Sequence, residues 1–230
     1  MPERFEVNNS TEQRPCGNWL ALAGVLVYLL EFAVFVPAGV SMPAVGDPVV
    51  HYAGRDVAFT ITAALLSVIL LGRIAFMVGL SSALPARQPF AELAVVAMSV
   101  SVALEVGSLG MAAAAARVAS SGGDPATVAG LDGAVVGLGL GIFSIFGFSV
   151  AAAAIAMLQS HAFRGWLGWL GIFAGLAMVG SGTLDAALDT GTAEGGSFGP
   201  VAWAAAVVWM LIAAITIGRR ARSSDQRGST

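Results

Sequence analysis

Lysine is absent from this chain of 230 residues, and cysteine and charged side chains are scarce. All 11 basic residues are arginine, so no retinal or pyridoxal Schiff base can form on a lysine, which excludes a rhodopsin-like pigment. Cys16 is the single cysteine, which excludes an internal disulfide and a cysteine-based metal cluster. Charged residues make up 11% of the sequence, against about 25% in a typical soluble domain, which argues against a soluble fold.

Signatures of metal, haem, protease and nucleic-acid chemistry are missing as well. The sequence has no HExxH motif and no DxxD-type diphosphate site. His51 and His161 are predicted at opposite membrane faces, where they cannot share a haem or a metal ion. A net charge of -3, with no basic patch outside the C-terminal tail, argues against a nucleic-acid partner. We therefore predict no cofactor, no metal site and no nucleic acid.

Apolar sequence is abundant instead, at 57% of the chain. About 20 apolar residues in a helix cover the ~30 Å hydrocarbon core of a bilayer. Six such segments stand out, at residues 19–40, 57–80, 93–116, 134–158, 166–188 and 201–218. The predicted fold class is therefore all-α: a polytopic membrane protein with a six-transmembrane-helix bundle at 19–218. A polar tail at 1–18 and a basic tail at 219–230 flank it, and the lipid bilayer surrounds it.

The arginines predict the orientation of this bundle. Eight of them fall on one side of the six spans, and only Arg55 and Arg117 fall on the other. Because short cytoplasmic loops carry the excess of arginine, both termini are predicted to be cytoplasmic, in a bacterial plasma membrane. The first 16 or so residues are polar and acidic, which argues against a cleaved signal peptide. The loops at 42–56 and 120–132 are predicted to be turns on the opposite face.

Glycines predict one close helix contact. Gly133, Gly137 and Gly141 follow a four-residue spacing in the fourth segment, and the fifth segment has a less regular strip at 168, 171 and 175. Small residues at this spacing let two backbones approach closely. A very short loop joins these segments, so we expect them to pack as an antiparallel pair.

Three charged side chains fall well inside apolar segments: Glu31 in the first, Arg73 in the second and Glu105 in the third. A lone charge at that depth costs roughly 2.5 kcal/mol or more, so such groups turn towards one another. Counting ~1.5 Å per residue from the cytoplasmic ends places both carboxylates about 18 Å deep and Arg73 about 12 Å deep. The extended guanidinium covers most of the difference, which predicts a Glu–Arg–Glu cluster near the middle of the membrane.

Neighbouring polar side chains share the faces of these charges. Ser101, Glu105 and Ser108 lie on one stripe of the third segment, and Tyr28 stands three residues before Glu31. These groups are predicted to supply the hydrogen bonds that a buried carboxylate needs.

Three interpretations of the charged cluster stay open. The cluster is a structural ion pair that fixes helix packing, or Arg73 extends to the cytoplasmic face without a partner. In the third interpretation it is functional, because two acids and one base leave a surplus carboxyl that takes up a proton at that depth. Tyr28, Ser101 and Ser108 would then complete a ligand-binding site.

A second candidate site lies at the outer end of the fifth segment. Ser181, Asp185 and Asp189 repeat every four residues along one face. Carboxylates near a helix C-terminus oppose the helix dipole and require a cation, for which Arg117 and Arg55 are available. These residues either close the helix as solvated aspartates or form an outer vestibule for a cationic or proton-linked ligand. Ser181 has no histidine within a span to activate it, so protease chemistry is not indicated.

Aromatic residues at the fourth and sixth segments have two interpretations. Phe143, Phe146 and Phe148, with Trp203 and Trp209, are typical of lipid-facing or packing positions. The alternative is that they line a hydrophobic cavity.

The layout resembles a family of six-span actinobacterial membrane proteins of unknown function. The resemblance rests on residues 32–37, on Gly46-Asp47-Pro48, and on the Gly-Trp-Leu-Gly-Trp-Leu-Gly run at 165–171 that follows Arg164. It covers residues 19 to 217 and implies a helical bundle. It implies no activity, so no catalytic residue is carried over.

Three functions are compatible with these observations. The leading hypothesis is a protein that binds or translocates a small cationic or proton-coupled ligand, with Glu31 and Glu105 exchanging protons beside Arg73. One protomer is small for a transporter, so a homodimer is expected. The rival is an enzyme of the general-acid cyclase or isomerase type acting on a lipid or isoprenoid, with Glu31 or Glu105 as the candidate catalytic acid. The third is a structural or accessory membrane subunit.

Overall fold

The structure, a computed structural model, describes residues 15–84, 88–188 and 199–227, with side chains placed at 19–35, 37–84, 88–183 and 199–220. Within these residues the chain forms helices and no strand. The helices are α1 (Pro15–Ala38), α2 (Pro48–Tyr52), α3 (Asp56–Ile69), α4 (Leu71–Ser82), α5 (Pro89–Ser120), α6 (Pro125–Ser160), α7 (Gly165–Leu188) and α8 (Gly199–Arg227). The predicted all-α polytopic fold is therefore confirmed.

Five described stretches are long and apolar enough to cross a bilayer, and α1 adds a shorter apolar stretch at Trp19–Phe35. Helices α3 and α4 form one of the five, Asp56–Ser82, interrupted only at Leu70. These six stretches match the six predicted segments. The membrane face that each terminus occupies and the two tails stay predictions.

Four helix contacts order the bundle. Helix α1 packs on α4 and α8, and α6 packs on both α5 and α7. Alanine, valine, leucine and phenylalanine from all these helices form one continuous buried core. The charged side chains predicted to meet lie on α1, α4 and α5, which surround the middle of this core.

The closest approach of two backbones joins α1 to α4, and the sequence analysis did not predict it. A Cβ atom placed on Gly24 would lie 2.6 Å from the carbonyl oxygen of Gly72 and 2.5 Å from the nitrogen of Phe76. No side chain fits there, so glycine is required for this contact. The contact brings Tyr28, one turn after Gly24, and Arg73, the residue after Gly72, into the same layer of the bundle.

Helices α6 and α7 form the predicted antiparallel pair, but the predicted glycine strip on α6 is wrong. Gly133 and Gly137 are exposed, and no atom lies within 4 Å of a Cβ placed on either. The close approach is instead at Gly147, whose Cβ would lie 2.5 Å from the carbonyl oxygen of Gly175. The regularly spaced Gly133 and Gly137 lie on the exposed surface of α6. The contact between α6 and α7 instead uses Gly147, which shares a helix face with Ala151 and Ala154.

Both outer loops contain more helix than the predicted turns. Residues 39–55, here called loop 1, include α2, which begins at Pro48 and is capped by the Asp47 carboxylate accepting from the nitrogen of Val49 at 2.8 Å. Helix α6 begins at Pro125, not after Asp132, because Asp124 accepts from the nitrogens of Ala126 and Thr127. Asp132 is therefore a buried helical residue.

Loop 1 covers one end of the bundle, here called the loop-1 end. Val40, Ala44 and Tyr52 are buried against a second, smaller core formed by alanines of α5 and valines of α6. Gly54 donates its backbone N–H to the hydroxyl of Ser120 at 2.9 Å. Loop 1 therefore packs on the ends of α5 and α6 and does not extend away from the bundle.

Candidate functional site

The three charged side chains from the first three spans meet near the middle of the bundle, as the sequence predicted. Arg73 Nη2 donates to Glu105 Oε1 at 2.9 Å, and Nη1 lies 2.6 Å from Glu105 Oε2. Arg73 Nη2 also lies 3.7 Å from Glu31 Oε2. Arg73 is 2% exposed, so the alternative in which it extends to the cytoplasmic face is excluded.

Two aromatic rings hold the guanidinium of Arg73 in place. Its Cζ atom lies 4.5 Å from the centre of the Tyr28 ring and 4.8 Å from that of Phe146. The faces of aromatic rings attract a cation, so this sandwich offsets part of the cost of removing Arg73 from water. Tyr28 is itself held by Trp203, whose Nε1 donates to the Tyr28 hydroxyl at 2.8 Å. Helices α1, α6 and α8 thereby fix a cation carried by α4.

The two carboxylates are not equivalent. Glu105 faces the fork of the guanidinium with both oxygens, which is the strong geometry for an arginine–carboxylate pair. Glu31 has only the longer contact, at 3.7 Å. The buried Oε2 atoms of Glu31 and Glu105 both lack a hydrogen-bond partner among the described residues, but that of Glu105 lies 2.6 Å from Arg73 Nη1. Burying a charged carboxylate oxygen without a hydrogen bond costs more free energy than burying an unpaired neutral polar atom. Glu31 is therefore the surplus group of the cluster.

A cavity of about 490 Å³ opens beside the cluster. Glu31, Arg73 and Glu105 form one end of it, and Met42, Pro43 and Pro200 lie at the other, towards the loop-1 end. Between these ends its wall is almost wholly apolar. The wall residues are Phe32, Phe35, Leu66, Ser108, Leu109, Val135, Gly139, Ile142, Phe143, Phe146 and Trp203. The side chains of Glu31 and Glu105 are 15% and 21% exposed, so both acids remain accessible.

The three polar residues predicted to surround the carboxylates lie in different parts of the structure. Ser108 lines the cavity, whereas Ser101 is fully buried and donates to the carbonyl of Ile142 at 3.3 Å, which ties α5 to α6 outside the cavity wall. Tyr28 lies behind Arg73 and is not part of the wall. Of the residues predicted to surround the carboxylates, Ser108 alone faces a space that a ligand could fill.

The predicted outer vestibule does not come together in the described residues. Ser181 is buried and donates to the carbonyl of Met178 on its own helix at 2.9 Å. Arg117 is exposed on α5, which is separated from α7 by α6. Arg55 donates to the carbonyl of Gly39 and lies over Phe59, within loop 1. The side chain of Asp185 and the whole of Asp189 lie outside the described residues, so their role stays a prediction.

A second buried carboxylate, Asp132, was not predicted to be functional or structural. Its Oδ1 accepts from the Tyr52 hydroxyl at 2.7 Å and from the backbone N–H of Ala44 at 2.9 Å. Burial raises the pKa of Tyr52, and its bond to Asp132 raises it further. This cluster ties loop 1 to α6. The Asp124-Pro125 pair, a typical helix start, could have placed Asp132 inside the helix.

The aromatic residues divide between the two interpretations. Phe143, Phe146 and Trp203 line the cavity, and Phe32 and Phe35 of α1 join them. Phe148 is 48% exposed on the outer surface, as expected for a lipid-facing residue. Trp209 is fully buried and donates its Nε1–H to the carbonyl of Leu167 at 2.9 Å, as expected for packing.

In the part of the chain that the structure describes, no group of three or more histidine, cysteine, aspartate or glutamate side chains could hold a metal ion. His51 lies in α2 and His161 caps the far end of α6, so they are at opposite ends of the bundle. The resemblance to the actinobacterial six-span family stays an expectation. No family model matches this chain, and neither do the curated proteins or the solved structures that were compared with it.

Proposed function

We propose that this membrane protein binds a small ligand in the cavity beside Glu31 and exchanges it for a proton on that carboxyl. The observation that supports this proposal is the asymmetry of the cluster. Glu105 is paired closely with Arg73, at 2.6 and 2.9 Å, whereas Glu31 lies 3.7 Å from the same guanidinium and lines an accessible cavity. Ionisable groups inside a membrane are costly and are typically retained for function.

Charge balance gives the proton its role. One guanidinium and two carboxylates have a net charge of -1 when both acids are ionised. A proton on Glu31 or a bound monovalent cation brings this charge to zero, and both together make it +1. An uncompensated charge is strongly disfavoured in a medium of low dielectric, so the proton and a cationic ligand compete for binding beside Glu31. Competition of this kind is the basis of coupled exchange.

The described wall of the cavity is formed within one protomer, by residues of α1, loop 1, α3, α4, α5, α6 and α8. Ligand binding therefore does not need the homodimer that the chain length suggested. A homodimer stays a proposal for translocation alone, in a bacterial plasma membrane with both termini in the cytoplasm.

The enzyme alternative uses the same cavity, since an apolar wall also fits an isoprenoid or a lipid chain. Glu105 makes the close contacts with Arg73, whereas Glu31 has only the longer one, so Glu31 is the better placed general acid. The two proposals separate by their products. A cyclase or isomerase changes the lipids of the membrane in which it is expressed, whereas a binding or exchange protein leaves them unchanged.

Proton release tests the proposal. Purified protein in a weakly buffered detergent solution with a pH dye is titrated with tetraphenylphosphonium, an organic monocation. We expect about one proton to leave per cation bound at a pH where Glu31 is protonated. Glu31→Gln abolishes the release, because a carboxamide has no proton to exchange.

The matched control is Glu92→Gln, which makes the same change at an exposed acid in the first turn of α5. It should release protons like the wild type. Unchanged release in Glu31→Gln would remove Glu31 from the mechanism. A lipid product that appears on expression and disappears in Glu31→Gln would favour the enzyme instead.

A further inference from the structure

We infer, on the basis of the proposed function, that the ligand is a monovalent organic cation with a large apolar body. The inference rests on two features of the cavity: the sign and size of its charge, and the aromatic composition of its wall. Neither feature alone identifies the ligand class, but few classes of small molecule satisfy both.

The charge selects a monocation. Arg73 is paired with Glu105, and the rings of Tyr28 and Phe146 lie 4.5 and 4.8 Å from its Cζ atom, although its buried Nε and Nη1 have no hydrogen-bond partner among the described residues. Glu31 supplies one unneutralised negative charge, and an anion would be repelled by it. A dication would leave one uncompensated positive charge in a low-dielectric space. A ligand with a single positive charge brings the net charge of the cluster from -1 to zero.

The wall selects an organic cation over a hydrated metal ion. A hard cation needs several oxygen ligands, and the wall beyond the cluster offers one hydroxyl, that of Ser108. Four aromatic side chains other than Phe146 line the cavity: Phe32, Phe35, Phe143 and Trp203. Aromatic faces bind both apolar surface and organic cations, and Phe32 and Trp203 already contact each other with ring centres 5.0 Å apart.

The size of the cavity agrees with this class. Its volume of about 490 Å³ lies within the ~300–1,000 Å³ typical of small-molecule sites. An inorganic ion would leave most of that space empty. A body that fills it must be largely apolar, because the polar groups are confined to one end. The ligand therefore carries its charge at the end that meets Glu31.

Binding of matched probes tests the inference. Equilibrium dialysis in detergent compares tetraphenylphosphonium with tetraphenylborate, which has the same shape and the opposite charge, and with tetramethylammonium, which lacks the apolar body. We expect tetraphenylphosphonium to bind at least ~10-fold more tightly than either, because the others lose the charge pair or the apolar contacts. Its affinity falls as the pH is lowered and Glu31 takes up a proton.

Two variants locate the site. Glu31→Gln should weaken tetraphenylphosphonium binding at least ~10-fold, and Trp203→Leu about 3- to 10-fold. Phe148→Ala, which removes an exposed aromatic from the same helix as Phe143, should leave affinity unchanged. Melting temperatures of all three variants show whether the protein is folded. Folded Glu31→Gln that binds the probe as tightly as the wild type would overturn the inference.

The remaining outcomes separate the inference from the proposed function. Tighter binding of tetraphenylborate, or equal binding of both ions, would contradict a cation site but leave a ligand cavity. Proton release by sodium or tetramethylammonium without tetraphenylphosphonium binding would contradict the organic ligand and retain proton exchange at Glu31. Failure of every probe to bind or to release a proton would contradict both.

Discussion

Two clusters bury carboxylates in this bundle, and they differ in how completely their oxygens are satisfied. At the loop-1 end, Asp132 accepts from the Tyr52 hydroxyl and from the nitrogen of Ala44 and forms no ion pair within the described residues. In the middle, Arg73 contacts two acids and satisfies only Glu105 well. Asp132, Tyr52 and Ala44 do not line the cavity, although Met42, Pro43 and Val135 beside them do, whereas the middle cluster forms one end of it.

The difference indicates which cluster is structural. Buried polar groups with all their hydrogen bonds formed make a fold more rigid. Those with unformed hydrogen bonds carry a free-energy cost that a bound ligand can relieve. Asp132 fixes loop 1 to α6 through two hydrogen bonds to its Oδ1. Glu31 keeps an oxygen without a partner in a space large enough for a ligand. Four changes test this contrast.

Removal of the cation from the middle cluster has the largest expected effect. Arg73→Met leaves two carboxylates buried with no positive charge, and breaking a buried pair in this way costs about 3–5 kcal/mol. We expect little folded protein on size-exclusion chromatography in detergent. Arg73→Met combined with Glu31→Gln and Glu105→Gln removes the charges as well and should recover folding. Normal folding of Arg73→Met alone would show that Arg73 does not neutralise the cluster.

Removal of the acceptor at the loop-1 end has a smaller effect. Asp132→Ala leaves the Tyr52 hydroxyl and the Ala44 N–H without a partner, at a cost of about 1–3 kcal/mol. Thermal unfolding in detergent measures it. Asp132→Asn retains an oxygen acceptor and should lie close to the wild type. If Asp132→Asn is as unstable as Asp132→Ala, the charge of Asp132 matters and the contrast with the middle cluster weakens.

Loss of the Tyr52 hydroxyl is smaller again and depends on pH. Tyr52→Phe removes one hydrogen bond, worth about 0.5–1.5 kcal/mol at neutral pH. The pKa of Tyr52 is raised in the folded protein, so its contribution to stability is complete below the unfolded value of about 10 and is lost as the pH rises above it. The stability difference between wild type and Tyr52→Phe should therefore shrink at alkaline pH. A difference that is constant above pH 10 would contradict this assignment.

Neutralising Glu31 is expected to have the smallest effect on stability. Glu31→Gln removes an incompletely satisfied charge and leaves the Arg73–Glu105 pair intact, so the melting temperature should equal or exceed that of the wild type. Glu105→Gln breaks the well-formed pair and should lower the free energy of unfolding by about 1.5–3 kcal/mol. Equal losses in the two variants would mean that the carboxylates are equivalent and that neither is free for a ligand.

The sequence was sufficient for the fold class and for the meeting of Glu31, Arg73 and Glu105. Both follow from one constraint: hydrocarbon tolerates neither short apolar segments as spans nor isolated charges. That constraint acts on composition and position along a helix, which a single sequence contains. It does not act on rotation about the helix axis, which decides whether Ser101 or Ser108 lines the cavity.

Contacts set by three-dimensional packing could be predicted only in part. The predicted strip at Gly168, Gly171 and Gly175 does lie at close contacts, but regular spacing favoured Gly133 and Gly137 as its counterpart, whereas Gly175 meets Gly147. The approach of Gly24 to Gly72 was not predicted. Glycines separated by long stretches of sequence carry no pattern that pairs them. The glycine, serine and aspartate content of residues 120–132 predicted a loop that includes Asp132, whereas the Asp124-Pro125 pair starts helix α6 there.

The position of the cavity has an electrical consequence. It extends from the loop-1 end to the middle of the bundle, and the arginine distribution predicts that this end faces away from the cytoplasm. A cation that enters there crosses roughly half of the transmembrane voltage before it reaches Glu31. At about 2.3 kcal/mol per charge per 100 mV, an interior negative by 100 mV would tighten its binding by ~1.2 kcal/mol, or roughly sevenfold. An energised membrane would thus load this cavity from outside, and a depolarised one would let it empty.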